Sequence, residues 1–254
     1  MLLTVLGEYV LPASGSAWQA TLIRALETLG HKTPAARRAL ARSVAAGWLR
    51  TERHGRRSRV HLTPATADML RSGTERIYSF GDPWEWDGRW LLVVLRVPED
   101  RREVRHQVRT RLAWAGFGSL GGGLWLSPHA ERERELREAA DGSVAEVVSF
   151  FAQIGGIGDP AKLVGEAWDL DGVAEAYRSF IARFGRLRAS SPEAMFRAQT
   201  QMVHEWRKFP FLDPDLPAGV LPAHWPRRRA HDLFRERHAA WHAAAQTHFR
   251  TLEA

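Results

Sequence analysis

The residues most able to do chemistry here are arginines. Arg37, Arg38 and Arg42 come close ahead of a second group, Arg53, His54, Arg56, Arg57 and Arg59. A guanidinium stays charged at any physiological pH and offers a planar fork of N–H donors. That fork matches phosphate oxygens and the edge of guanine. Such a set holds a polyanion; it does not break a bond. No catalytic residue and no cofactor are expected from it.

Other constellations are weaker. His238 and His242 stand at i, i+4, a spacing that can bind zinc on a helix. There is no H-E-x-x-H, and His231 and His248 fit no tighter pattern, so no metal site is expected. Gly155-Gly156-Ile157-Gly158 lacks both G-x-G-x-x-G and the Lys-Ser/Thr of a phosphate loop. Arg227, Arg228 and Arg229, with His204, Trp206 and Arg207, offer cations and an apolar surface. An acyl-CoA needs both, for its phosphates and its acyl end. Arginines that open a helix are also commonly just solvated. Trp86, Trp90, Trp168 and Trp225 read as core or interface.

Residues 33–62 must position the first set. Thr33 reads as an N-cap and Pro34 as the first helical residue. Ala36, Leu40 and Val44 make one apolar stripe, which puts the arginines on a neighbouring face. Gly47 stops the helix, and Trp48 is expected in the core. An extended segment then runs to Arg53, turns at His54-Gly55 and returns over 59–62. A capped basic helix followed by a basic hairpin is the pattern of a winged helix-turn-helix, helix in the major groove and hairpin on phosphate. Helices at 1–10 and 18–29 complete it. A further helix starts at Thr63-Pro64 and ends at Gly73.

After an aromatic linker the chain reads β-α-β-β-α-β. The expected strands are 89–97, 117–120, 124–126 and 144–151; the helices are 99–115 and 130–140. That is a ferredoxin-like order. Helices at 172–184, 192–208 and 227–252 follow, with a proline-dense ordered loop at 209–226. The expected parts are 1–75, a winged-helix DNA-binding domain; 76–88, the linker; 89–155, ferredoxin-like; and 156–254, helical. The fold class is α+β.

Charge supports a polyanionic partner for the first part. Residues 1–75 carry 11 Lys+Arg against 5 Asp+Glu; the remainder carry 25 against 24. A localised excess is better evidence for nucleic acid than a dispersed one. There is no cysteine, so disulfides and thiolate metal sites are excluded. No apolar run is long enough to cross a membrane, and the first residues lack a basic n-region. A cytoplasmic location without membrane contact is expected.

The chain resembles the PaaX family of transcriptional repressors of phenylacetate catabolism. The resemblance rests on Leu6-Gly7-Glu8-Tyr9-Val10, on A-R-R-A-L-A-R-S-V-A-A-G-W-L at 36–49, and on Leu62-Thr63-Pro64. It continues in W-D-G-R-W at 86–90, Pro98-Glu99, G-F-G at 116–118 and G-L-W-L-S-P at 123–128. V-H-E-W-R at 203–207, D-P-D-L-P at 213–217 and L-P-A-H-W-P at 221–226 complete it. It implies a winged-helix reader, a Cas2-like middle domain and a helical C-terminal domain. It also implies a homodimer on double-stranded operator DNA, released by an aryl-CoA thioester such as phenylacetyl-CoA. Two alternatives remain at this point. One is an activator of the same architecture. The other is a metal-dependent nuclease on the Cas2-like core, for which Glu99 is the nearby carboxylate and Arg96 stands where a second would help.

Overall fold

A computed structural model of the chain describes residues 1–98, 100–140 and 146–253. Glu99 and the first residues of the expected 144–151 strand lie outside them.

The chain opens with α1 (Leu2–Val5), a π-helical stretch Leu6–Val10 and α2 (Leu11–Ala13). Then come β1 (Ser16–Trp18), α3 (Gln19–Thr28), α4 (Thr33–Ala45), the hairpin β2 (Leu49–His54) and β3 (Arg57–Leu62), and α5 (Pro64–Ser79). The middle holds β4 (Trp90–Arg96), α6 (Arg102–Trp114), β5 (Gly118–Gly121), β6 (Leu124–Ser127), α7 (Glu133–Ala140) and β7 (Glu146–Ala152). Last are α8 (Pro160–Ala167), α9 (Leu170–Gly185), α10 (Pro192–Trp206), α11 (Phe209–Leu212) and α12 (Arg227–Thr251).

Three expectations need correction. β1 was expected as loop and helix start; it is a strand because it pairs with β3, Ala17 opposite Val60. α5 runs through Gly73 to Ser79, because this glycine keeps a negative φ and costs only propensity. Within 156–254, expected to be helical, α8 is capped by Asp159, whose carboxylate accepts from the Ala161 N–H. The proline-dense 209–226 segment contains α11 and a 3₁₀ turn at Ala218–Val220.

By packing, the chain forms two units. The first is Met1–Phe80, Ser179–Lys208 and Arg229–Ala254; the second is Gly81–Arg178 and Phe209–Arg228. In the first, Val5, Leu6, Tyr9, Leu22, Leu26, Ala36, Leu40, Leu49 and Val60 share a core with Phe196, Ala245 and Phe249. Tyr9 stacks on Phe249 with centroids 5.1 Å apart, and its hydroxyl is 2.9 Å from Thr200 Oγ1. Residues more than two hundred positions apart in sequence therefore bury one another.

The second unit is built on an all-antiparallel sheet in the order β5-β6-β4-β7. Leu91, Val93 and Leu95 of β4 meet Val108, Leu112 and Leu136 of α6 and α7. Trp90 and Leu126 face the other way, against Val164, Leu170, Leu216 and Val220. Burial on both faces explains why β4 reads as an unbroken apolar run. Gly118 lies under Trp168: a Cβ there would stand 2.6 Å from the indole ring.

Candidate nucleic-acid interface

Helix α4 turns Ala36, Leu40 and Ser43 inward. Val44, expected as the third member of the stripe, is 37% exposed. A helix advances 100° per residue, so i+7 stays closer to the i, i+4 line than i+8 does. Ser43 can be buried because its hydroxyl donates to the Ala39 carbonyl at 3.0 Å. Thr33 does not cap the helix through its side chain; its hydroxyl donates to Glu27 of α3. Gly47 takes φ 74°, and the Trp48 N–H then reaches the Ser43 carbonyl at 2.9 Å, which closes the helix end.

Arg37, Arg38 and Arg42 are all exposed. Among the described residues none of them has an ion-pair partner. Trp48, expected in the core, is 40% exposed. It helps to line a cavity of about 490 Å³ with Leu3, Ala39, Ser43, Arg42 and Arg207.

The hairpin holds its base in the core and its tip in solvent. Leu49 and Val60 are buried, while Arg53, His54, Arg56 and Arg57 are exposed and Arg59 is half-buried. Trp18 on β1 is the feature that sequence reasoning missed. Its ring lies 4.4 Å from the Arg57 guanidinium and 5.5 Å from that of Arg59, and His54 meets it edge-on at 5.7 Å. Arg59 Nε also donates to Ser16 Oγ at 3.1 Å. Glu52 partly offsets the charge: it lies 3.1 Å from His54, 3.0 Å from His61 and 3.9 Å from Arg50. Arg53 Nε donates to the Gly55 carbonyl at 3.4 Å, and Arg56 is exposed. The signal for Trp18 was its position opposite an arginine strand, visible only once β1 is known to be a strand.

The six residues considered for an effector do not share one environment. Trp206 is fully buried in the first unit; its indole N–H donates to the Ile77 carbonyl at 3.0 Å and it stacks on Phe234 at 4.7 Å. His204 hydrogen-bonds Thr4 Oγ1 at 3.0 Å. Burial, with the N-terminal amine and Arg207 nearby, holds its pKa down at about 4. Arg207 is half-buried, and desolvation lowers its pKa. Arg229, also in the first unit, is exposed.

In the second unit Arg227 is nearly buried. Its Nε lies 3.3 Å from Asp213 Oδ2, its Nη1 pairs with Asp215, and its Nη2 donates to the Leu216 carbonyl at 2.7 Å. Tyr177 donates to the same Asp213 oxygen at 2.7 Å. Burial, foremost, raises the Tyr177 and Asp215 pKa values. Arg227 is thus held by two carboxylates and a carbonyl inside the fold. A cavity of about 500 Å³ adjoins it, lined by Trp84, Leu216, Trp225, Arg227 and Arg228 among others.

The end of β4 offers Arg96, Arg105 and Arg109 with Glu146. Among the described residues no group of three metal-ligating side chains forms there. No described helix is long and apolar enough to cross a membrane.

Comparison with known proteins agrees along the chain. Residues 1–66 match the PaaX-like protein family, 83–164 the PaaX protein central Cas2-like domain, and 168–251 the PaaX-like protein C-terminal domain. The chain is 33% identical over 241 residues to the transcriptional repressor PaaX of Escherichia coli (strain K12), covering 89% of this chain and 75% of that protein. Uncharacterized protein Rv0674 from Mycobacterium tuberculosis has a similar fold, with a TM-score of 0.65 at 24% identity over 98% of this chain and 97% of that one. The chain belongs to the PaaX family, and its middle part is a Cas2-like domain.

Proposed function

We propose that this protein is a ligand-responsive transcriptional repressor that binds operator DNA as a homodimer. Residues 1–75 act as a winged helix-turn-helix, with α4 in the major groove and the β2–β3 hairpin on phosphate. Residues 89–155 couple two copies, and 156–254 form the helical remainder. The observation that carries this reading is the row Arg37, Arg38 and Arg42, exposed on α4 with no ion-pair partner among the described residues. A basic row on one helix beside a basic hairpin is the electrostatic footprint of a nucleic-acid reader. The named relative is a repressor, which favours a regulator over an enzyme and a repressor over an activator.

Dimerisation is supported by β7, an edge strand with Val148 and Phe150 52% and 51% exposed. An open apolar edge is a ready surface for a second copy. For the effector, an acyl-CoA thioester such as phenylacetyl-CoA suits the cavity beside Arg228, where Trp84 and Trp225 offer an aromatic slot. The effector must bind the DNA-free form more tightly to release the operator.

The test is selection of bound duplexes from a random pool by the full chain. Enrichment of a two-fold symmetric motif, lost on adding phenylacetyl-CoA, is the expected result. A pool that stays random after repeated rounds overturns the DNA-reading role.

A further inference from the structure

Away from the arginine row, five polar side chains from four elements converge inside the first unit. Glu8 comes from the π-helical stretch, Tyr78 from α5, Gln199 from α10, and His238 and His242 from α12. The Tyr78 hydroxyl donates to Glu8 Oε1 at 2.6 Å and lies 2.8 Å from His238 Nε2. His238 Nε2 is 3.3 Å from Glu8 Oε2. Gln199 Nε2 donates to Glu8 Oε2 at 3.2 Å and stands 3.4 Å from His242 Nδ1.

Glu8 is only 8% exposed, and its one ion-pair partner among the described residues is His238. A buried carboxylate without a fixed cation is costly. Gln199 is fully buried beside it, with Oε1 unpartnered. The set is therefore short of positive charge at its centre.

Its geometry supplies what a cation would need. One ligand atom each of Glu8, His238 and His242 lie within 4.8 Å of one another. Bonds of about 2.0–2.2 Å in a tetrahedron set neighbouring donors roughly 3.4 Å apart. The Glu8–His238 separation of 3.3 Å already meets that, and the ligand atom of His242, one turn along the same helix, lies within 4.8 Å of both. His242 is exposed, which gives an ion a way in. Two imidazoles and a carboxylate select a transition metal over magnesium or calcium.

The geometry points to a binding site for one divalent transition-metal ion of the zinc class, held by Glu8, His238 and His242, with the Tyr78 hydroxyl or water in the fourth position. The ion links the start of the chain to α12. It binds the folded state only, and so stabilises that state by mass action. This site is independent of the DNA-reading proposal.

The test uses the tag-free full chain stripped with chelator. Titration with Zn²⁺ should give one tight equivalent and a raised Tm. Co²⁺ should give the strong visible absorption of a tetrahedral site, and Mg²⁺ should give neither. His242→Ala, at an exposed position, should keep the metal-free Tm and lose more Zn²⁺ affinity than the about 10–100-fold that removal of an outer-shell partner costs; His238→Gln should lose as much. No Co²⁺ band, no Tm shift with Zn²⁺, an equal response to Mg²⁺, or undiminished binding by both variants would each overturn the assignment.

Discussion

The Arg57 guanidinium lies 4.4 Å from the centre of the Trp18 indole. A residue ahead of α3 thereby fixes a cation at the hairpin tip, and the same ring meets His54 edge-on. A cation over an indole is stabilised by about 0.5–1 kcal/mol when partly exposed. Trp18→Ala should leave the fold intact and let the hairpin arginines sample more rotamers. Operator affinity is expected to fall about fivefold, within the tenfold that 1.4 kcal/mol represents. Fluorescence anisotropy with labelled operator measures this; full affinity in Trp18→Ala would mean the hairpin plays no part in binding.

The second prediction concerns the helix. Arg38→Ala with Arg42→Ala removes two exposed guanidiniums and no ion pair among the described residues. A bidentate base contact contributes about 1–3 kcal/mol of discrimination. Each lost phosphate contact lowers the slope of log K against log salt by about 1. The double variant should thus lose specific binding while its circular dichroism and Tm stay as they were. Retained specificity with an unchanged salt slope would remove α4 from the groove.

What the sequence reveals follows from how local each cause is. The start and end of α4 and the β2–β3 turn rest on Pro34, Gly47 and Gly55, which act within a few residues, and they read off directly. The sheet of the second unit does too, because β4 is buried on both faces and shows it as an apolar run. Val44 departs from its expected place because a stripe fixes a face only to within one residue's rotation, and Trp48 because it lies past the helix end, where no periodicity fixes its side. β1 is three residues long, with no periodicity of its own; only its pairing with β3 makes it a strand. Trp18 as a support for Arg57 inherits that gap. Glu8 is the extreme case: nothing near it in sequence hints at His238, which lies 230 residues later. The pairing of Arg227 is a different case. Its partners Asp213 and Asp215 are close in sequence, but a charge pair there reads equally well as exposed.

The third prediction is a pH dependence. Burial, the N-terminal amine and Arg207 hold the His204 pKa at about 4, against an ordinary value near 6.5. Between those pH values the unfolded chain binds a proton that the folded chain refuses. Stability therefore falls as pH drops from about 6.5 to about 4, and it is fully present above 6.5. His204→Gln can still hydrogen-bond Thr4 but does not titrate. Its Tm should decline less over that window, measured by calorimetry in buffers of equal ionic strength. Parallel Tm curves for the two proteins would show that His204 protonates freely in the fold.

A fourth prediction reads the G-F-G motif physically. The absent side chain of Gly118 makes room for Trp168, whose indole N–H donates to the Gly116 carbonyl at 3.2 Å. Gly118→Val should push the indole away and cost about 1–3 kcal/mol or more by overpacking. Urea unfolding measures the loss. An undiminished midpoint would mean that Trp168 moves without penalty.

The last prediction separates two roles for Arg227. If it were a ligand cation, Arg227→Ala would leave stability alone and abolish the effector response. Its surroundings argue otherwise. Asp213 has a side chain only 1% exposed, and it is held by both Arg227 and Tyr177. Removing the guanidinium strands that carboxylate and Asp215 in a poorly solvated place. Breaking a buried pair from one side typically costs about 3–5 kcal/mol. Arg227→Ala should therefore unfold at markedly lower urea, with or without an acyl-CoA present. Arg228→Ala, exposed beside the same cavity, should keep its midpoint while release from operator needs more effector. The reverse pattern, a stable Arg227→Ala that no longer responds and an Arg228→Ala that responds normally, would return Arg227 to the ligand and place the phosphate contact inside the Asp213–Asp215 pair.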